Sequence, residues 1–397
     1  MPDLPEGWRL LKLKDCGTWL SGGTPATEES RFWGGDIPWI SAASLKDFHI
    51  SQSDRRVTRA GARAGTRLVG DGVVLFVVRG MSLKTEFRVG VTQRVVSFGQ
   101  DCKAIIPAPG IDGTFLALAL KARSRDILAM VDEAGHGTGR LPTDLLAKLE
   151  IGVPPLDEQR KIAETLDAID DQITLSGSYI RKLEQQAKGV IDVCLSPLAE
   201  AAMDRVGHIF EIKPGITIGP DRVPLNEGRQ YLRVANVQRE RIQFHDLLAM
   251  EASAAEAKMF SLRRGDLLIV EGHANPEEIG RCASVPEKAT GLLYQNHLFR
   301  LRSSDILPKF AESWFNFAVA RSYWRRNAAT SSGLYTINSQ LLRALPFPRI
   351  SADEQIKLAT IFTAVAENIQ QERNLVARNS KAKSALMNDL LTGRVRV

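Results

Sequence analysis

The sequence predicts an α+β chain built twice over: two tandem mixed α/β domains, each closed by one long helix, with the two helices pairing through apolar seams. Three observations carry this. The passage "PPLDEQRKIAETLDAIDDQI" at residues 154–173 returns as "ISADEQIKLATIFTAVAENI" at 350–369, close to half the chain length later. Each copy opens a run with apolar residues at heptad spacing. The stretch before each copy consists of short β-branched runs broken by Gly, Pro and charged turns.

The chain has 397 residues, beyond the size at which one core stops growing, so two or more domains are expected. With 44% hydrophobic and 25% charged residues it is ordinary globular protein. The longest apolar run, "VVLFVV" at 73–78, is far too short to span a bilayer. The opening "MPDLPEGWRLLKL" lacks the basic-then-apolar order of a signal peptide, so a cytoplasmic protein is expected. Cys16, Cys102, Cys194 and Cys282 show no CxxC spacing and read as reduced, buried thiols. A net charge of +6 leans towards an acidic partner without deciding one.

The fronts come first in each half. Residues 1–153 form the first, with strands from "GVVLFVV", "RVVSF" and "KAIIP"; residues 198–349 form the second, with "LLIV" and "HLFRL". The segments at 113–131 and 308–326 read as one amphipathic helix in each. Neither front is regular enough for a parallel βαβ sheet. Between the copies the match fades upstream but the order survives. "SGGTP" has a looser echo in "KPGITIGP", "IPWISAASL" stands where "YLRVANVQ" does, and "GDGVVLFV" where "GDLLIV" does. Downstream, Gly137 falls on Gly333, Leu141 on Ile337, and Leu145, Leu146 and Leu149 on Leu341, Leu342 and Leu345.

The long helices follow, at 154–197 and 350–397. The first seam is Ile162, Leu166, Ile169, Ile173, Ser176, Ile180, Leu183, Ala187, Val190 and Cys194, in steps of four and three. The second is Leu358, Phe362, Val365, Ile369, Glu372, Val376, Asn379, Lys383, Leu386 and Leu390, with a polar middle. Asp157 and Asp353 are expected as N-caps, Pro197 and Gly393 as stops. Each seam is roughly 50 Å long. A narrow stripe of this length needs a partner, and the nearest is its own duplicate. A helical hairpin that merely joins two domains is the alternative.

On these residues the chain resembles the specificity subunits of type I restriction–modification systems. The matching features are "LPEGW", "SGGTP" with "FWGGDIPWISAASL", and "GTGRLPTDLLAKLEIGVPPLDEQRKIAETLDAID". The resemblance runs through essentially the whole chain. The second copy departs from it where "PPLDEQRK" becomes "ISADEQIK". The resemblance implies two target-recognition domains, each reading half of a split site on double-stranded DNA. It also implies that the two long helices pack as an antiparallel coiled coil, giving pseudo-twofold symmetry and docking two methyltransferase subunits. S-adenosylmethionine would belong to that partner, and ATP and Mg to a partner endonuclease. This chain would hold no cofactor or metal and would carry no catalysis.

The residues themselves show no catalytic constellation. No phosphate-binding G-x-x-x-x-G-K-[ST] loop or H-E-x-x-H helix occurs, and "GHGTGR" at 135–140 ends without the required Lys-Ser/Thr. "ANPEE" at 274–278 is not the Asn/Asp-Pro-Pro-aromatic motif of a methyltransferase. The six histidines have no ligand spacing, and one such as His208 is read as structural.

DNA-binding candidates lie in the fronts. Arg55, Arg59, Arg63 and Arg67 recur every four residues and would form a basic stripe if helical, although Gly61 and Gly65 weaken that reading. A solvated helix face is the alternative. Arg79, Lys84 and Arg88 sit on an expected hairpin able to offer Arg to guanine edges. The equivalent loop of the second front carries Glu271, His273, Asn275 and Arg281. The segments "HGTGRLPT", with Arg140, and "SSGLYT", with Tyr335, stand at equivalent positions and are expected near the DNA backbone. A standalone DNA-binding regulator and a scaffold with a coiled-coil hairpin remain as other readings; co-purification with a methyltransferase and salt-dependent DNA affinity separate them.

Overall fold

A computed structural model describes residues 4–134, 137–224, 228–331 and 333–397. The chain divides into two compact units, Met1–Ser176 with Leu375–Val397, and Gly177–Asn374. The long helices, Leu156–Leu195 and Ala352–Leu391, are therefore not separate from the fronts. Each contributes one half to each unit.

The central sheet of the first unit runs Gly17–Ser21, Cys102–Pro107, Val74–Val77, Val89–Thr92 and His49–Ile50. "VLFV" lies in the middle with strands on both sides, and its residues, pointing alternately to the two faces, are apolar throughout and almost wholly buried, so both faces are covered. The second unit repeats this order with Glu211–Pro214, Leu298–Arg302, Leu267–Val270 and Cys282–Ser284. The likeness extends to the accessory sheets. Arg9–Lys12 pairs with Glu150–Val153, as Met203–Arg205 pairs with Pro346–Pro348. A parallel pair joins Ile40 to Phe98 in one unit and Leu232 to Tyr294 in the other. The faded sequence match thus hides a duplication of nearly every sheet.

The two amphipathic segments are each broken rather than continuous. Gly113–Ala122 and Ser124–Leu128 meet at Arg123, and Pro308–Asn316 and Ala318–Asn327 meet at Phe317, whose ψ of 161° is extended.

The repeated Asp-Glu-Gln has a structural explanation. Gln159 is wholly buried; its Oε1 accepts the Asp112 amide at 2.8 Å, and its Nε2 donates to the Gly110 and Pro154 carbonyls at 2.9 and 2.8 Å. Asp112 is itself the N-cap of Gly113–Ala122. In the second unit Gln355 accepts the Leu307 amide at 3.0 Å and donates to the Asp305 carbonyl at 3.3 Å, and Leu307 caps Pro308–Asn316. Each glutamine clasps the start of a long helix to the start of its own domain's helix. A primary amide both donates and accepts, which no apolar side chain or ionised carboxylate does.

The aspartates before these glutamines are one residue inside the helices, not at the caps. At the second start the Ser351 hydroxyl accepts the Glu354 amide at 3.3 Å. The stops fall as expected: Pro197 lies in the turn Ser196–Glu200, and Gly393 takes φ +73° after Leu391.

In the first unit Ile162 and Leu166 are buried with Trp8, Phe115, Leu118 and Leu390, and Leu386 packs against them. Arg396 holds Glu158 with two hydrogen bonds of 3.1 and 2.8 Å, and Lys383 pairs with Asp170. In the second unit Leu358 and Phe362 share a core with Leu195, and Arg373 meets Glu184 at 2.6 Å. Of the other seam positions, Ile169, Ile173, Ile180, Leu183, Val365 and Ile369 are half-buried and Val190 is exposed. Cys16, Cys102 and Cys282 are buried thiols, Cys194 half-buried. Burial pushes Cys16 up to about 11 and Cys102 to about 12.

Candidate nucleic-acid interface

Each unit carries a small three-stranded ribbon directly after its central strand. In the first, Arg79–Gly80 pairs with Thr138–Arg140, which pairs with Asp132–Ala134. In the second, Gly272–His273 pairs with Leu334–Thr336, which pairs with Ala329–Ser331. Residues 135, 136 and 332, within "GHGTGR" and "SSGLYT", lie outside the described residues.

The register decides which candidates meet. Arg79 is the cross-strand partner of Arg140, and Gly80 that of Gly139. Register partners share a face, so the two exposed arginines stand side by side. The glycine face turns inward: a Cβ on Gly139 would meet Leu83 at 2.9 Å, and one on Gly80 would meet Ala42 at 3.5 Å. The arginine face therefore turns away from the domain. Lys84 reaches the same ribbon, its ammonium 3.4 Å from where a Cβ on Gly137 would lie. Among the described residues Arg79, Lys84 and Arg140 form no ion pair and no side-chain hydrogen bond.

Arg88 behaves differently. Its guanidinium is spent on Glu86 at 2.9 Å and on the Ala42 and Ala43 carbonyls at 3.2 and 3.4 Å. It ties the "SAAS" turn to the hairpin. The expected stripe of four arginines does not form. Only Arg59 and Arg63 share a helix, Arg59–Gly65, because Thr58 caps its start after Arg55, and after Gly65, packed against Pro25, the chain turns into the strand Arg67–Val69. Arg55 instead stacks on Trp33, 3.8 Å from the ring centroid, with Trp39 at 5.1 Å.

In the second unit the partners Gly272 and Thr336 occupy the face that Arg79 and Arg140 hold in the first, and His273 pairs with Tyr335 on the other. Tyr335 is half-buried against the core. His273 Nδ1 accepts the Asn275 amide at 3.0 Å, which leaves the ring proton on Nε2, and Asn275 Oδ1 accepts the Glu277 amide at 3.0 Å. Glu277 receives Arg321 at 2.6 Å and Arg325 at 3.0 Å; Arg325 foremost, then Arg321, holds its carboxyl below the usual range. Arg281, expected on this loop surface, is instead buried at 5% exposure. Its guanidinium is bound to Glu278 at 3.2 Å and the Val234 carbonyl at 3.0 Å. Beside the Gly272–Thr336 face lies a cavity of about 430 Å³ lined in part by Glu271, His297, Asn327 and Asn338, with His297 and Glu271 2.6 Å apart. Glu271 and His297 are brought together by neighbouring strands, a link that no local motif announces.

Two units of one architecture, each presenting a different set of side chains on the same ribbon, set the context for comparison with known proteins. Residues 5–185 match the family described as type I restriction modification DNA specificity domain. The first part of this chain is similar to that domain. Among curated relatives, the MjaIX specificity subunit of Methanocaldococcus jannaschii is 29% identical over 43% of this chain, and the EcoR124I/EcoR124II specificity subunit of Escherichia coli is 29% identical over 45%. These alignments span only 39% and 44% of the relatives' own lengths. The EcoKI specificity subunit of Escherichia coli K12 is 22% identical over 99% of this chain and 90% of its own. A type I restriction-modification S subunit from M. genitalium shares the fold, with TM-score 0.56 at 15% identity over 98% of this chain and 97% of its own. A chain from a structure of type I system assembly does so at TM-score 0.62, with 13% identity, over 99% of this chain and all of that one. The specificity-domain match ends inside the first long helix, whereas these two fold likenesses run through both halves. Among the described residues no helix is long and apolar enough to cross a membrane.

Proposed function

We propose that this chain is the DNA-recognition subunit of a type I restriction–modification complex, each unit reading one half of a bipartite duplex site through its ribbon. The observation that carries this is a duplicated fold whose ribbons share position but not chemistry: Arg79 and Arg140 in one, Gly272 and Thr336 in the other. Two equal scaffolds with unequal readers suit a split, asymmetric sequence.

The two long helices act as an antiparallel coiled coil that sets the gap between half-sites and docks two methyltransferase subunits. Ion pairs joining Asp170 to Lys383 and Glu184 to Arg373 support this pairing, since moving forward along the first helix the partners move backward along the second. Base chemistry belongs to the partners: S-adenosylmethionine in the methyltransferase, ATP and Mg in the endonuclease. The complex works in the cytoplasm, on the host chromosome and on incoming DNA.

The test is methylation mapping. Co-expressed with a type I methyltransferase subunit of its own host, the chain confers adenine methylation at one split motif; the chain alone neither methylates nor cuts. Methyl transfer by the isolated chain, or a methylated motif without a gap, overturns the reading.

A further inference from the structure

Arg79 and Arg140 are directly opposed like charges on a two-strand contact. Such pairs destabilise a sheet unless something acceptor-rich faces them. The cross-strand partner on the far side of Arg140 is Asp132, yet no ion pair forms between them. The side chains are exposed on the outward face, and the inward face is held down by Gly80 and Gly139. The two strands that carry the arginines, Arg79–Gly80 and Thr138–Arg140, are the width of a ribbon that enters the major groove of B-form DNA, where a guanidinium fork matches O6 and N7 of guanine.

Phosphate is the competing ligand for a guanidinium, and the duplication argues against it. Both half-sites have the same backbone, so a phosphate contact at this position would be needed equally in both units. Instead the equivalent positions hold Gly272 and Thr336, neither of them cationic. Only the bases differ between half-sites.

We propose that Arg79 and Arg140 read guanine in the half-site recognised by the first unit. This rests on the DNA-recognition function above and names the residues that set its specificity. The second unit's half-site is read without arginine at the equivalent position.

The experiment uses the full chain and selection from a randomised duplex library, with wild type, Arg79→Lys and Arg140→Lys compared. Lysine keeps the charge but not the two-pronged donor. Wild type should enrich a split motif with guanine fixed in one half. Each lysine variant should lose preference for one guanine by about ten- to a hundredfold, with the other half unchanged and the salt dependence kept. Arg79→Ala and Arg140→Ala should relax the same positions, with the salt dependence largely kept. An unchanged motif in the lysine variants, or a change in both halves, overturns the inference. So does a uniform loss of affinity across all sequences, which would mark a phosphate contact. Failure of the wild type to enrich any motif is a different result, and it sinks the DNA-recognition function itself.

Discussion

Replacing Gln159 by Met keeps the length and volume of the side chain but removes its three hydrogen bonds, to the Asp112 amide and the Gly110 and Pro154 carbonyls. Each neutral hydrogen bond contributes roughly 1 kcal/mol net, and a buried group left unpaired costs ~1–3 kcal/mol. The expected loss is therefore about 3 kcal/mol. It should be local, because the clasp holds the start of Gly113–Ala122 against the start of the first long helix. Hydrogen exchange read by mass spectrometry is the assay. A loss of about 3 kcal/mol speeds local opening about a hundredfold, so amides of residues 113–122 should exchange about that much faster. Gln355→Met removes only two bonds, one of them 3.3 Å long, and should cost about 2 kcal/mol. Its effect belongs at residues 308–316. If Gln159→Met left residues 113–122 unchanged, or loosened 308–316 instead, the clasp would not be what the repeated motif is for.

Other expectations follow from single contacts. Gly280 sits at φ +64°, and a Cβ there would lie 2.2 Å from Nε1 of the buried Trp324; Gly280→Ala should cost the second unit about 3 kcal/mol and shift its tryptophan fluorescence on unfolding. The hydrogen bond from Arg222, followed by the Ser253 amide, holds Glu256 down from an ordinary 4.5 to about 2. Its folded value lies below its unfolded one, so the stabilisation is complete above about 4.5 and is lost as pH falls towards 2. Glu256→Gln should flatten that part of an acid-unfolding curve, and an unaltered acid limb would exclude the contribution. Inserting one heptad into both long helices lengthens each by about 10.5 Å and should widen the methylated motif's gap by about three base pairs; an unaltered gap would make the helices a joint and not a ruler.

What the sequence made legible is what both units need in identical form. Gln159 and Gln355 share two bonds in the same place, one to the N-cap amide and one to the carbonyl two residues before it, so their neighbourhood repeats and can be recognised. The "LPEGW" motif is structural too: Trp8 is buried beside Ile162 and Leu166. The residues of the ribbons are a different matter. Arg79 and Arg140 are joined by a two-residue strand across a long loop of sequence, and strands that short leave no periodicity. Polar loops also mislead. Arg281 looks like a surface cation because its buried partner Val234 is a backbone carbonyl from a distant turn, which carries no residue signal. The arginine stripe fails for a local reason: Thr58 caps the helix start after Arg55, and the helix ends at Gly65, close-packed on Pro25, before Arg67.

The two units differ in how their chain is supplied. Gly177–Asn374 is one uninterrupted segment, but the first unit needs Met1–Ser176 and also Leu375–Val397. During synthesis the second unit therefore has all its residues before the first does. Until Leu390 emerges from the ribosome, Trp8, Phe115, Leu118, Ile162 and Leu166 lack part of the cover they have in the finished protein. The N-terminal unit, first to be made, is the last to be closed. An interruption of translation after residue 374 would leave a product with a complete second unit and an apolar face open on the first, a form fit for chaperone capture and degradation.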